Sequence, residues 1–368
     1  MSGTDKDLES LIYDRLKNTE DKSHLFSQVL EKDEKVDSYL GTPKEFELED
    51  NELYFSEVFG WEPTTIPDIP VPFYDKEYWA EEVRHLIPER DTDYHLDAET
   101  IEEVMYGMYS KGTLLLYGPT GTGKTSIAKE IAAQCCMPFL RVSGHGQMEV
   151  SELLGSTQVT TDPVSNTPIT KHCDTDVTLA VKHGGLLVLD EVFRIPSHCL
   201  MALQSTFEYP HVLNLQDAQG VSRNLAAPIH DFKLVLTDNT NGTGDTSGKF
   251  TAEIQDVSTL NRIRRSVYID YLKPDEEIEL VQKQFKDMPK FFIDKMVKVA
   301  GLARTGFTTN KLEQTISIRE LLSWGQSIED LRNIGQAFRY AVYNSAQDTD
   351  KEVLADIYRQ VFGETIDK

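Results

Sequence analysis

Short apolar runs set apart by mixed, helix-forming stretches organise the middle of the chain. "TLLLY" (113–117), "PFLRVS" (138–143), "GLLVLD" (185–190), "FKLVLT" (232–237) and "RSVYIDYL" (265–272) are rich in branched and aromatic residues. Alternation of such runs with helical segments argues for parallel strands buried between helices, so residues 95–272 predict an α/β core whose parallel sheet is flanked by helices. Past Pro274 the period becomes helical: Ile293, Met296, Val297 and Ala300 share one face, and Leu354, Ile357, Tyr358 and Val361 another. Residues 273–368 therefore predict a small α-helical domain.

The N-terminal quarter has a different texture. Residues 1–62 are acid-rich, with a short helical pattern in "DLESLIYDRL" (7–16) and carboxylates interleaved with aromatics in "EFELEDNELYFSEVFGWE" (45–62). Such a segment reads either as a docking element or as a partly ordered tail. Pro63, Pro67, Pro70 and Pro72 then exclude helix and predict an extended linker and lead-in over 63–94.

At 368 residues the chain can bury a core without disulfides or a structural metal. Its four cysteines, Cys135, Cys136, Cys173 and Cys199, lack C-x-x-C spacing, and the opening "MSGTDKDLES" has no targeting character. A reducing cytoplasm is expected, with no membrane association. His172–Cys173 and His198–Cys199 have no compact ligand spacing, which argues against a metal centre there. The net charge of −24 disfavours a phosphate-backbone partner and reads as a solvated acidic face.

The candidate chemistry begins at "GPTGTGKT", residues 118–125, between an apolar run and the helical "SIAKEIAAQ". In G-x-x-x-x-G-K-[ST] the glycines let backbone N–H groups turn inward around a phosphate, and the next helix presents its positive end to the same anion. Gly118, Pro119, Thr120, Gly121, Thr122, Gly123, Lys124, Thr125 and Ser126 are the predicted nucleotide-binding residues. Lys124 supplies a point charge for the β and γ phosphates, and Thr125 a hydroxyl for Mg²⁺. In "GGLLVLDE" (184–191) an apolar run ends in two acids, where open α/β sheets place their ligands. Asp190 is the expected Mg²⁺ partner, and Glu191 the group that orients and polarises an attacking water.

The succession of motifs resembles AAA+ ATPases of the MoxR clade. "LDEVFRIP" is similar to the clade's DE-x-x-R-x-P segment, and "FKLVLTDNTNGTGDTSGKF" and "TISIRELLSW" are similar to stretches of the cobaltochelatase small-subunit (CobS) family. The resemblance covers roughly residues 70–330. It implies ATP and Mg²⁺ as cofactors, Asn239 as sensor 1, and Arg319 as sensor 2 on a helical lid. By residue type alone, Asn239 reads as a turn former and Arg319 as an exposed helix arginine paired with Glu320 or another acid. Arg262 falls at the arginine-finger position, but Asn261 replaces the usual acid before it, and Arg264 and Arg265 crowd the same stretch. Arg194 either contacts the nucleotide region or subunit boundary, or braces the following helix.

A finger given to a neighbour implies a closed homo-oligomeric ring, usually a hexamer, and the clade's partners imply a protein client or one bearing a von Willebrand A domain. The resemblance also implies two hairpins, one with its tip around 162–168, where the turn formers of "DPVSNTP" suit it, and one over 214–228, which is similar to the clade's second hairpin. The leading expectation is Mg²⁺-dependent ATP hydrolysis by a ring motor that remodels or activates a partner, of the chaperone or metal-chelatase type. The alternatives are a motor or loader on nucleic acid and a nucleotide-gated adaptor with little turnover.

Overall fold

The structure, a computed structural model, describes residues 46–109, 111–161, 166–216, 222–242 and 257–366. The helical pattern expected at 7–16, the "GDTSG" stretch at 244–248, and the loop tips at 162–165 and 217–221 lie outside the described residues. Leu48–Lys368 forms one compact unit.

The first described elements depart from the reading of an acidic arm followed by a linker. β1 (Glu52–Tyr54) leads directly into α1 (Phe55–Phe59) and pairs antiparallel with β2 (Pro70–Pro72). Phe55, Ile69 and Val71 are fully buried, and Phe55, Phe59 and Trp61 pack ring against ring. Prolines exclude helix but not burial. The run between Trp61 and Pro70 is tied down by Glu102, whose Oε2 accepts from Thr64 N, Thr65 N and Thr65 Oγ1. Residues 48–94 thus belong to the same unit as the α/β core, because their apolar positions have no other place to leave water.

Glu102 lies on α2 (Ala98–Tyr109), which precedes β3 (Thr113–Tyr117). The chain continues through α3 (Lys124–Gln134), β4 (Phe139–Ser143), the antiparallel hairpin β5 (Ser156–Thr161) and β6 (Pro168–Cys173), and α4 (Asp176–His183). β7 (Gly185–Asp190) is followed by a second antiparallel hairpin, β8 (Val212–Gln216) and β9 (Ser222–Ala226), then β10 (Phe232–Asp238) and β11 (Ile263–Tyr268). Each predicted apolar run supplies a strand.

Five strands form one all-parallel sheet in the order β11–β3–β10–β7–β4. All six residues of β7 are buried, as expected of a strand covered on both faces. The order puts β10 between β3 and β7. The register pairs Asp238 with Tyr117 and Thr237 with Asp190, so the C-terminal ends of three strands lie side by side. β4 flanks β7 at the sheet edge, with Ser143 opposite Asp190.

The C-terminal part is helical: α5 (Pro274–Gln284), α6 (Lys290–Thr308), α7 (Ile318–Leu331), α8 (Ile334–Ala341) and α9 (Asp348–Phe362). Ile293, Met296, Val297 and Ala300 are all buried in its core, with Leu354 and Tyr358, while Ile357 and Val361 pack against it. Trp324 and Phe338 fill the centre, with ring centroids 4.8 Å apart.

Candidate functional site: a phosphate-binding loop between core and lid

The loop after β3 turns sharply because Gly118 adopts φ +146°, where a Cβ would fall 2.1 Å from the carbonyl oxygen of Ile269. Only glycine permits that approach. Gly121, at φ +77°, packs against Ser317, and a Cβ there would lie 2.2 Å from the Ser317 Cβ. Ser317 caps α7, so the loop from the sheet touches the start of the lid helix that carries Arg319.

Lys124 opens α3, and its buried ammonium group donates to Gly118 O (2.8 Å), Pro119 O (2.7 Å) and Asn239 Oδ1 (3.2 Å). Burial pushes its pKa down to about 8, against the opposing pull of Asp238, Asp190 and Glu191. Thr122 Oγ1 donates to Pro119 O at 3.1 Å, and Tyr271, in the connection from core to lid, donates its hydroxyl to Thr120 O at 2.8 Å. Thr125 is half-buried in the first turn of α3, and Ser126 beside it is exposed.

Asp190 ends β7 with its side chain nearly buried. The Thr237 hydroxyl donates to Oδ1, and Arg141 Nη2 lies 2.5 Å from Oδ2. Glu191 takes φ +53°, the left-handed region a bulky residue rarely occupies, and pairs with Arg194 Nη1 at 2.9 Å. Asp238 Oδ2 accepts from Phe193 N at 3.0 Å and so ties the end of β10 to the turn after Glu191.

A cleft of about 380 Å³ opens beside the loop, lined by Gly121, Thr122, Gly123, Ser126 and Arg319 together with apolar groups such as Ile127 and Leu322. Asp190, Glu191 and Asn239 do not line it. Asn239 reaches the loop through Lys124, and Asp190 through the strand ends. Arg319 is exposed and unpaired among the described residues. Glu320 is occupied as a cap, accepting from Ser317 N and Oγ, so the expected alternative of an Arg319–Glu320 pair is not what the structure holds. Arg262 pairs with Glu208 (Nε to Oε1, 3.1 Å) and donates to Ser258 O (2.6 Å), away from the cleft lining. Arg265 donates to Tyr106 O and lies 4.1 Å from that ring's centroid. Arg194 is tied to Glu191 rather than to the helix after it.

The residues suit a nucleotide with a divalent cation. A Cβ on Gly123 would meet only Tyr94 Oη, at 3.7 Å, which leaves that stretch of loop backbone open. Thr125 and Asp190 offer hard oxygen donors of the kind such an ion takes beside phosphates. Sequence reasoning missed Arg141, Thr237, Asp238 and Tyr271. The two residues before Asn239 could have been found from the strand end they share with it; Arg141 and Tyr271 carry no local signal.

The family of the AAA domain (dynein-related subfamily) matches residues 113–253, and that of the CbbQ/NirQ/NorQ C-terminal domain matches residues 277–361. The chain is an AAA+ P-loop ATPase. Among known proteins, the aerobic cobaltochelatase subunit CobS of a Sinorhizobium species is 27% identical to this ATPase over 322 residues, 86% of this chain and 92% of the relative. The gas vesicle ATPase GvpN1 of Halobacterium salinarum is 27% identical over 237 residues, 60% of this chain and 63% of the relative. Among solved structures, the RuvB Holliday junction branch migration motor of Thermotoga maritima aligns with 75% of this ATPase and 72% of its own chain, with a TM-score of 0.43 and 14% identity. No helix among the described residues of the ATPase is long and apolar enough to cross a membrane.

Proposed function

We propose that this ATPase is the motor subunit of a hexameric ring that hydrolyses ATP with Mg²⁺ and uses turnover to remodel or activate a protein partner, in the manner of a chelatase motor or maturation chaperone. The observation that carries this reading is the meeting of Lys124, Asn239 and the Ser317–Arg319 segment of the lid on a single loop.

Backbone N–H groups of the loop and the Lys124 ammonium bind the β and γ phosphates, with Lys124 exchanging its contacts to Gly118 and Pro119 for phosphate oxygens. Thr125 and Asp190 hold Mg²⁺, which when bound offsets the negative charge of the phosphates. Glu191 releases Arg194, orients the water and takes its proton as the water oxygen bonds to the γ phosphorus and the bond to the ADP oxygen breaks. Asn239 holds the γ-phosphate side from the neighbouring strand end, and Arg319 reaches the nucleotide from the lid.

Arg262 does not line its own chain's cleft, which suits a cation supplied to the next subunit and makes the ring necessary for turnover. The similarity to a cobaltochelatase subunit over nearly that relative's whole length favours a protein client, or a partner with a von Willebrand A domain. The test is Mg²⁺-dependent phosphate release by wild type and Glu191→Gln, with assembly read by analytical ultracentrifugation in ATP. The variant is expected to bind ATP, assemble and lose at least ~10²-fold of turnover. Equal inactivity of the two assembled proteins refutes the reading.

A further inference from the structure

Both carboxylate oxygens of Asp190 are already occupied by the chain itself. Oδ1 takes the Thr237 hydroxyl, and Oδ2 takes the Arg141 guanidinium at 2.5 Å. The parallel register of β4 and β7 sets Arg141 beside Val188 and Ser143 beside Asp190, so Arg141 and Asp190 share one face of the sheet. The next residue along, Gly144, donates its N–H to the Asp190 carbonyl at 2.7 Å, which fixes the two strand ends together. The two partners differ in exposure: the Asp190 side chain is 12% exposed, whereas that of Arg141, on the edge strand, is 49% exposed. A guanidinium so placed can turn into solvent without opening the core.

We infer that Arg141 is a positioning residue that holds Asp190 while no cation is bound and yields the carboxylate when a divalent cation enters with nucleotide. This rests on the reading that Asp190 holds the metal. A guanidinium and a divalent cation repel each other, so they compete for Oδ2. Arg141 therefore sets the cation concentration at which the site fills, and keeps a nearly buried carboxylate paired in the meantime. The Glu191–Arg194 pair differs, since it joins side chains 40% and 43% exposed within one turn and leaves Asp190 untouched.

The experiment titrates Mn²⁺ into the full chain with saturating ADP and reads bound Mn²⁺ by electron paramagnetic resonance, for wild type, Arg141→Met, Arg141→Gln and Arg141→Lys. The two uncharged variants are expected to half-saturate at about three- to tenfold lower Mn²⁺, the range that losing a half-exposed, charge-assisted competitor allows. Arg141→Lys is expected to stay near wild type, and ADP affinity in EDTA to change less than about twofold. Thermal melting in EDTA confirms folding, and Arg141→Gln keeps the test open if the methionine variant fails to fold. Unchanged or higher Mn²⁺ requirement in folded uncharged variants overturns the inference while leaving the metal reading intact. Loss of any Mn²⁺ dependence in wild type instead overturns the metal reading, and the inference with it.

Discussion

Replacing Arg304 with methionine should loosen the helical lid selectively. Arg304 on α6 grips Glu277 on α5 through two parallel bonds, Nη1 to Oε2 at 2.8 Å and Nη2 to Oε1 at 2.6 Å. Its Nε donates to Ile316 O at 2.9 Å, and its guanidinium lies 4.0 Å from the centroid of Tyr271, whose hydroxyl bonds to Thr120 in the phosphate loop. The Arg304 side chain is 12% exposed and that of Glu277 only 1%, so removing the arginine strands a carboxylate with no route to water. Breaking such a buried pair costs about 3–5 kcal/mol, most of it from the uncompensated charge rather than the lost attraction. Converted at ~1.4 kcal/mol per decade, the lid amides of Trp324 and its helix should exchange hydrogen roughly 10²- to 4 × 10³-fold faster than in wild type. Adding Glu277→Gln removes the stranded charge, and the double variant should recover at least ~2 kcal/mol of that loss. Hydrogen exchange with mass spectrometry reads both. The reasoning is refuted if Arg304→Met exchanges within tenfold of wild type, or if the double variant is no better protected than the single one.

Gly121→Ala places a Cβ 2.2 Å from that of Ser317 at φ +77°, so the loop or the lid must move; ADP affinity should fall by tenfold or more in a fluorescent-nucleotide titration, and an unchanged affinity would show the approach to be unimportant. Arg262→Ala should keep ATP binding within about threefold of wild type and lose at least ~10²-fold of turnover, because a cation acting on the neighbour's phosphate is not needed for binding; parallel loss of both contradicts that role. His211, buried at the base of the β8–β9 hairpin with Nδ1 donating to Thr206 O at 2.7 Å, has its pKa lowered, first by burial. The unfolded chain then binds the proton more readily, so the stability His211 contributes is present above its unfolded pKa of ~6.5 and is lost as pH falls through the lower folded value. Urea midpoints of His211→Asn between pH 7.5 and 5 should fall less than those of wild type, and parallel curves would refute it.

Residue order along the chain was enough to specify the α/β core, the strand–loop–helix around Lys124, the acids ending β7 and the helical C-terminal part. These features are local: a run apolar on both faces must be covered, a glycine-rich loop before a helix must turn there, and a helical period exposes one face for burial. The hairpin flanking the tip at 162–165 was legible from the turn formers at its tip, and the one flanking 217–221 only through the family resemblance. The proline run misled because proline forbids helix without saying whether an extended chain is free or buried, and Ile69 and Val71 are buried.

Tertiary structure alone decided which strand ends are neighbours. The order β11–β3–β10–β7–β4 brings Thr237, Asp238 and Asn239 between the phosphate loop and Asp190, and sets Arg141 beside that acid from 49 residues away in sequence. It also decided that Ser317 meets Gly121 and that Tyr271 meets Thr120, contacts that join lid to loop. The physical reason is that a motif encodes the backbone shape of a few consecutive residues, whereas the charge and packing around each acid come from strands and helices whose adjacency is settled only when the whole sheet closes its core.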